Sequence, residues 1–162
     1  MNSDRDQTRL AENLRRALLA MNGWSPERRL EYFVLLGIKN RRAEYTRDFG
    51  GEAAPEADSV AAIPMAAAAS RPLVKLLYVL SKHGDDICLD APTARSITGT
   101  PVIGGLIEVL NKAVESKLVK RTATQKPLAE SDRDSMVGLR LTENGMAFVN
   151  NMLHDALPTA AG

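Results

Sequence analysis

The sequence predicts a mainly α-helical protein carrying one small β wing. Three observations support this. Apolar residues recur at helical spacing in several separate segments. Two stretches, LVKRTAT (118–124) and MVGLRLT (136–142), read as strands joined by residues 125 to 135. The chain has 162 residues with an aromatic share of only 4%, so it has room for one ordinary domain, or a smaller one with helical extensions, and its core must be mostly aliphatic.

Leu10, Leu14, Ala17, Leu18 and Met21 give an amphipathic helix over roughly 8 to 22, ended by Gly23. Ser25-Pro26-Glu27 is a helix start: Ser caps, Pro fits the first turn, and Glu suits the positive helix end. Leu30, Phe33, Val34, Gly37, Ile38, Arg41 and Tyr45 then form one stripe of a longer helix reaching about residue 47. These helices make up an N-terminal part, 1–48. Residues 49–69, with adjacent glycines, two prolines, much alanine and no basic residue, read as a flexible linker.

From residue 70 the reading is denser. SRPLVKLLYVLSKHG is a helix capped by Ser70 and stopped by Gly84, with Leu73, Leu76, Leu77 and Leu80 inward. A very short strand follows at 87–89, then a short helix or turn over 92–98 broken by Gly99. A helix over about 101–116 carries Leu106, Val109, Leu110 and Ala113 at core spacing. Val137, Leu139 and Leu141 alternate in the second long strand. Thr142 caps a last helix, 143–157, whose stripe is Met146, Val149, Met152 and Leu153, before Pro158.

Composition excludes several function classes. The 44% apolar and 25% charged shares are those of a globular protein, and a net charge of +1 attracts neither nucleic acid nor membrane by itself. Residues 1–50 carry ten Lys/Arg against seven Asp/Glu, and 118–142 carry five against three, so positive charge is local. The basic face of the second helix, Arg28, Arg29, Lys39, Arg41 and Arg42, reads as a solvated surface, or as an extra phosphate-contacting patch. Cys88, the only cysteine, forbids an intrachain disulfide and reads as a buried structural residue. With no signal-peptide core at the N-terminus and no membrane-length apolar run, a cytoplasmic location and no membrane partner are expected. His83 and His154 stand in no metal-ligand spacing, and no nucleophile–base set emerges, so neither a catalytic centre, a metal nor a cofactor is expected. GTPVIGG (99–105) is followed by no Lys-Ser/Thr, which removes a phosphate-cradling loop.

The order from 70 to 142 is helix, short strand, short helix, turn, helix, strand, long tip, strand. This is the winged helix-turn-helix arrangement, whose second helix enters a DNA major groove while the hairpin tip reaches toward a minor groove or the phosphates. LIEVLNKAVESKLVKRT (106–122) resembles the L-x-x-L-x-x-x-G-L-V-x-R signature of the MarR family of bacterial transcription regulators. SDRDSMVGLRLTENG (131–145) resembles that family's wing, an Asp/Arg-rich tip followed by V-x-L-T-x-x-G.

The resemblance covers roughly 70–155 and implies a homodimer on double-stranded DNA, built through N- and C-terminal dimerisation helices, each protomer reading half of a pseudo-palindromic site. It allows a small-molecule effector between the dimer helices and the DNA-binding part. It makes Arg133 the wing arginine, suited to a narrow minor groove, Asp132 its orienting neighbour, and Arg121 a residue at the hairpin base. Arg121, Lys126 and Arg140 are the expected phosphate contacts. Thr98, Thr100, Val102, Gly104, Gly105, Asn111 and Lys112 are expected to line the major groove, with apolar contact to thymine methyls partly replacing polar readout.

Two positions and one segment's charge depart from the family pattern. Ser135 stands where a second arginine is common, Lys117 replaces the usual helix-ending glycine, and residues 100–117 sum to zero charge. The alternative is therefore a winged-helix protein-interaction module that has lost sequence-specific reading, with VIGGLI as its contact patch.

Overall fold

In the computed structural model, residues 21, 23–62, 72–83, 86–122, 126–133 and 135–156 are described. The helix expected over 8–22 lies outside the described residues except for Met21, which is helical. The Ser70 cap, the Gly84 stop, the boundary near 69 and Pro158 lie outside them too, as do the side chains of Leu153 and His154.

Helix α1 spans Pro26–Leu35. The Ser25 hydroxyl accepts from the Arg28 N–H at 3.1 Å, with Pro26 and Glu27 in the first turn, the start the sequence predicts. Its end differs from the expectation of about residue 47. Gly37 takes the left-handed conformation at φ 76°, its N–H reaches the Val34 carbonyl, and the Ile38 N–H reaches Phe33 O at 2.9 Å. That paired closure satisfies the last carbonyls and ends the helix. A side chain at Gly37 would also bring its Cβ within 2.7 Å of the Ala61 Cβ. The chain then doubles back through bridges Lys39↔Tyr45 and Thr46↔Ala53, and the buried Thr46 hydroxyl donates to Gly37 O. Tyr45 is thus on no helix stripe; it lies exposed with the Lys39 ammonium 4.7 Å from its ring centre.

Residues 49–62 are not a flexible linker. They carry 3-10 turns at Arg47–Phe49 and Val60–Ala62, and Val60 is 1% exposed within the core cluster. The Tyr78 hydroxyl donates to Asp58 O at 2.7 Å, and the Arg41 N–H donates to the Glu56 carboxylate at 2.9 Å. The Arg41 guanidinium meets Asp58 at 2.5 Å and Glu56 at 3.5 Å, holding the Asp58 carboxyl below its ordinary pKa. Both Arg41 and Asp58 are exposed, so this pair aligns the segment more than it stabilises it. The expected basic helix face is divided, since only Arg28 and Arg29 lie on α1 while Lys39, Arg41 and Arg42 follow its end. The Arg28 guanidinium lies 4.4 Å over the Trp24 ring, and the Lys39 ammonium lies near Phe33.

The remaining elements follow in the expected order: α2 (Pro72–His83), β1 (Asp86–Cys88), α3 (Ala91–Thr98), α4 (Ile103–Glu115), β2 (Val119–Arg121), β3 (Met136–Leu141) and α5 (Glu143–Ala156). The strands form an antiparallel sheet in the order β1-β3-β2, with Ile87 opposite Val137 and Val119 opposite Leu141. Val137 and Leu139 face the core, as their alternation predicts. Helix α5 packs on α2 and buries Val149 in the chain's own core, so part of the stripe expected for dimerisation is used internally; Met146 stays exposed. The fold is thus a helical assembly with a small three-stranded antiparallel sheet.

Helix α1 joins this body through Tyr32. Its buried hydroxyl accepts from the Cys88 N–H at 3.0 Å, and its ring meets Trp24 edge-on at 5.4 Å and His83 at 4.5 Å. Burial pushes the phenol's pKa far above its ordinary value, with the Cys88 and Thr93 hydrogen bonds opposing. The folded chain therefore holds this proton more tightly than the unfolded one. Its contribution to stability is complete below about pH 10 and declines as pH rises above that value. Tyr32→Phe is expected to make the alkaline decline shallower and to cost about 1–2 kcal/mol at neutral pH by stranding the Cys88 amide. Urea unfolding from about pH 7 to about pH 11 reads both effects, and an unchanged alkaline slope contradicts the assignment.

Candidate nucleic-acid interface

The helix pair α3 and α4 is set by its connection. Asp90 caps α3 by accepting from the Thr93 N–H at 2.9 Å, and Gly99 ends it in the left-handed conformation at φ 82°. Thr98 is spent on this turn, its hydroxyl donating to Ala94 O at 2.6 Å. Thr100 is exposed, and its hydroxyl accepts from the Val102 N–H at 3.3 Å. Val102, the residue preceding α4, offers no side-chain cap and is 62% exposed. Helix α4 buries Ile103, Leu106, Ile107, Leu110 and Ala113. Gly105, Glu108 and Lys112 fall on its outer face, where Glu108 and Lys112 pair with each other at 3.6 Å.

The tip does not simply project. Leu128 is 5% exposed and belongs to the core cluster. The Asn111 carboxamide takes both sides of its peptide: Nδ2 donates to Leu128 O at 3.1 Å, and Oδ1 accepts from the Leu128 N–H at 3.0 Å. Asn111, expected to line a groove, therefore has its carboxamide committed within the protein. Beyond Leu128, the Ala129 N–H donates to the Asp132 carboxylate at 2.9 Å while the Asp132 N–H donates to Ala129 O at 2.8 Å. The Arg133 N–H closes a 3-10 turn onto Glu130 O, and the Arg133 side chain is exposed. Ser135 is fixed by its own turn onto Asp132 O and by accepting from the Leu89 N–H at 3.0 Å. Glu130 lies against the first turn of α4, where a Cβ on Gly104 would come within 2.9 Å of its Oε1.

The hairpin separates the expected phosphate contacts. Lys120 stands opposite Arg140 on the exposed face of the hairpin. Lys120 went unnoticed in the sequence because only strand register puts it beside Arg140. Arg121 pairs with Leu139 on the other face and is half-buried, its Nη1 buried without a hydrogen-bond partner among the described residues. Lys126 is exposed. A groove of about 690 Å³ runs between α1 and the end of α2, bordered by the apolar Leu30, Val34 and Leu35 and by charges of both signs, Glu27, Glu31 and Asp58 with Arg28, Arg41 and Lys82. Among the described residues no three of His, Cys, Asp or Glu converge as metal ligands, and no helix is long and apolar enough to cross a membrane. No family's sequence model matches the chain, and no curated protein or solved structure gives a match.

Lys117 explains how the chain turns from α4 into β2. It sits at φ 60°, the Lys117 N–H reaches Val114 O, and the Leu118 N–H reaches Ala113 O, which is the closure that usually carries glycine. Lys117→Gly is expected to raise stability by up to about 1 kcal/mol, and Lys117→Val to lower it by about 1–2 kcal/mol. Denaturant midpoints give the ranking; a valine variant as stable as the glycine variant would show that the backbone is unstrained.

Proposed function

We propose that residues 72–156 are a winged helix-turn-helix resembling the MarR family, binding double-stranded DNA as a cytoplasmic homodimer without catalysis. The observation that carries this reading is the helix pair α3–α4 followed by the β2–β3 hairpin, with an arginine-bearing turn held alongside the second helix. In that role Val102 at the start of α4 and Gly105 and Lys112 on it face the major groove, Arg133 reaches the minor groove, and Lys120 with Arg140 meets phosphates. The groove beside α1 is large enough for a small effector, and its wall carries charges of both signs.

A second reading, supported by features of the same face, is a protein-interaction module. VIGGLI is not its contact patch as a whole, because Ile103, Leu106 and Ile107 are buried in the core and only Val102 of its large apolar residues reaches the surface. Val102 is exposed, Glu108 neutralises Lys112, and Glu130 occupies the amino end of α4, where a phosphate would otherwise be drawn.

Titration of genomic duplex fragments separates the two. DNA binding predicts a Kd below about 10 μM that weakens as salt is added, with Arg133→Ala losing about tenfold. Absence of salt-sensitive binding in that range overturns the DNA reading. Light scattering on the eluting protein is expected to give twice the chain mass, and a monomer at tens of micromolar contradicts the homodimer.

A further inference from the structure

Resting on the DNA-binding reading, we propose that Asn111 is a positioning residue for Arg133, and not a reader of bases. Its carboxamide bonds both the N–H and the C=O of a tip residue, Leu128. Burial of the Leu128 side chain fixes the same point from the apolar side. From there the main chain runs through local hydrogen bonds to the arginine: the reciprocal Ala129–Asp132 pair, then the Glu130–Arg133 turn. The far end is tied where Ser135 accepts from Leu89.

An arginine on an unanchored loop would lose much of its binding contribution to the entropy of being ordered, whereas one on a pinned turn has already met that cost. The chemistry required at 111 is specific. Only a group that both donates and accepts satisfies Leu128 on both sides; Asp lacks the donor and Ala lacks both. Asn111 therefore acts on DNA through Leu128 and Arg133.

The test is a double-mutant cycle read by duplex titration at several salt concentrations. Asn111→Ala and Arg133→Ala are each expected to weaken binding about tenfold and to lower the salt slope by about one unit. The double variant should be no weaker than Arg133→Ala within about twofold, because both changes remove the same contact. Leu128→Ala releases the turn without touching the outer face of α4, so it should reproduce the Asn111→Ala loss and slope. In both clamp variants the Leu128 amide should exchange with solvent faster than in the parent protein.

Multiplying effects in the double variant, or a changed base preference in Asn111→Ala with Leu128→Ala unaffected, make Asn111 a direct reader and overturn the proposal. So does a Leu128 amide that stays protected in Asn111→Ala. Parent protein that shows no salt-sensitive binding overturns the DNA reading and this role together. That result is distinct from failure of the clamp alone, in which the parent protein still binds.

Discussion

The fold depends on burying one helix from all sides. Val74, Leu76, Leu77, Val79 and Leu80 of α2 are almost wholly removed from solvent, and α1, α3, α4, α5, β1 and β3 all touch this helix. Each such side chain contributes about 1.5–3 kcal/mol on burial, so this one element supplies a large part of the driving force. It also explains how a chain so poor in aromatics folds: a helix surrounded by aliphatic neighbours needs interdigitation more than ring area. One aromatic cluster lies at the edge of that packing. Trp24, Tyr32 and His83 gather where α1 meets the end of α2, and the Tyr32 hydroxyl satisfies a strand N–H that α2 cannot reach.

With α2 fixed, the outward elements are positioned by polar satisfaction more than by further burial. The end of α4, the start of β2 and the start of α5 share one small junction. The Thr142 hydroxyl donates to Lys117 O and accepts from the Gly145 N–H, while the Thr142 N–H donates to Leu118 O. Gly145 is required there because a Cβ would overlap the Leu118 carbonyl. One threonine thus caps a helix and fastens two strand ends, and the hairpin's angle to α4 follows from it.

How much of this could be read from the sequence depends on whether the cause was local. Ser25-Pro26-Glu27, Gly99, Thr142 and the Val137–Leu139 alternation act within a few residues, and the structure uses them as expected. The misreadings have partners far along the chain. The apolar stripe from Leu30 to Tyr45 keeps helical spacing past Gly37, yet Ile38 is apolar because it enters the core and Tyr45 because it stacks with Lys39. Residues 49–62 have a linker's composition, but Val60, Asp58 and Glu56, meeting the core, Tyr78 and Arg41, and the Thr46↔Ala53 bridge make them structured. Leu128 was a lone apolar residue in a charged tip, and its partner Asn111 lies 17 positions away, so neither periodicity nor motif could join them. A leucine flanked by proline in an otherwise polar hairpin tip was the available signal, since nothing but an internal contact rewards an apolar side chain there.

These placements divide the work of the proposed DNA surface. Helix α4 contributes shape and little charge: Glu108 cancels Lys112, and Glu130 sits at its amino end, where the helix dipole favours an anion. The cations are on the hairpin. Lys120 and Arg140 face outward together, and Arg133 extends from a turn with both ends fastened. In the proposed complex these outward cations would meet phosphates, and charge-assisted hydrogen bonds to them would supply the attraction. Glu130 acts in the opposite sense, stabilising the unbound helix end and opposing any phosphate that approaches it. On that proposal the same tip carries both signs, Arg133 attracting a phosphate three residues from a Glu130 that opposes one, so the placement of the tip beside α4 decides which contact a duplex makes.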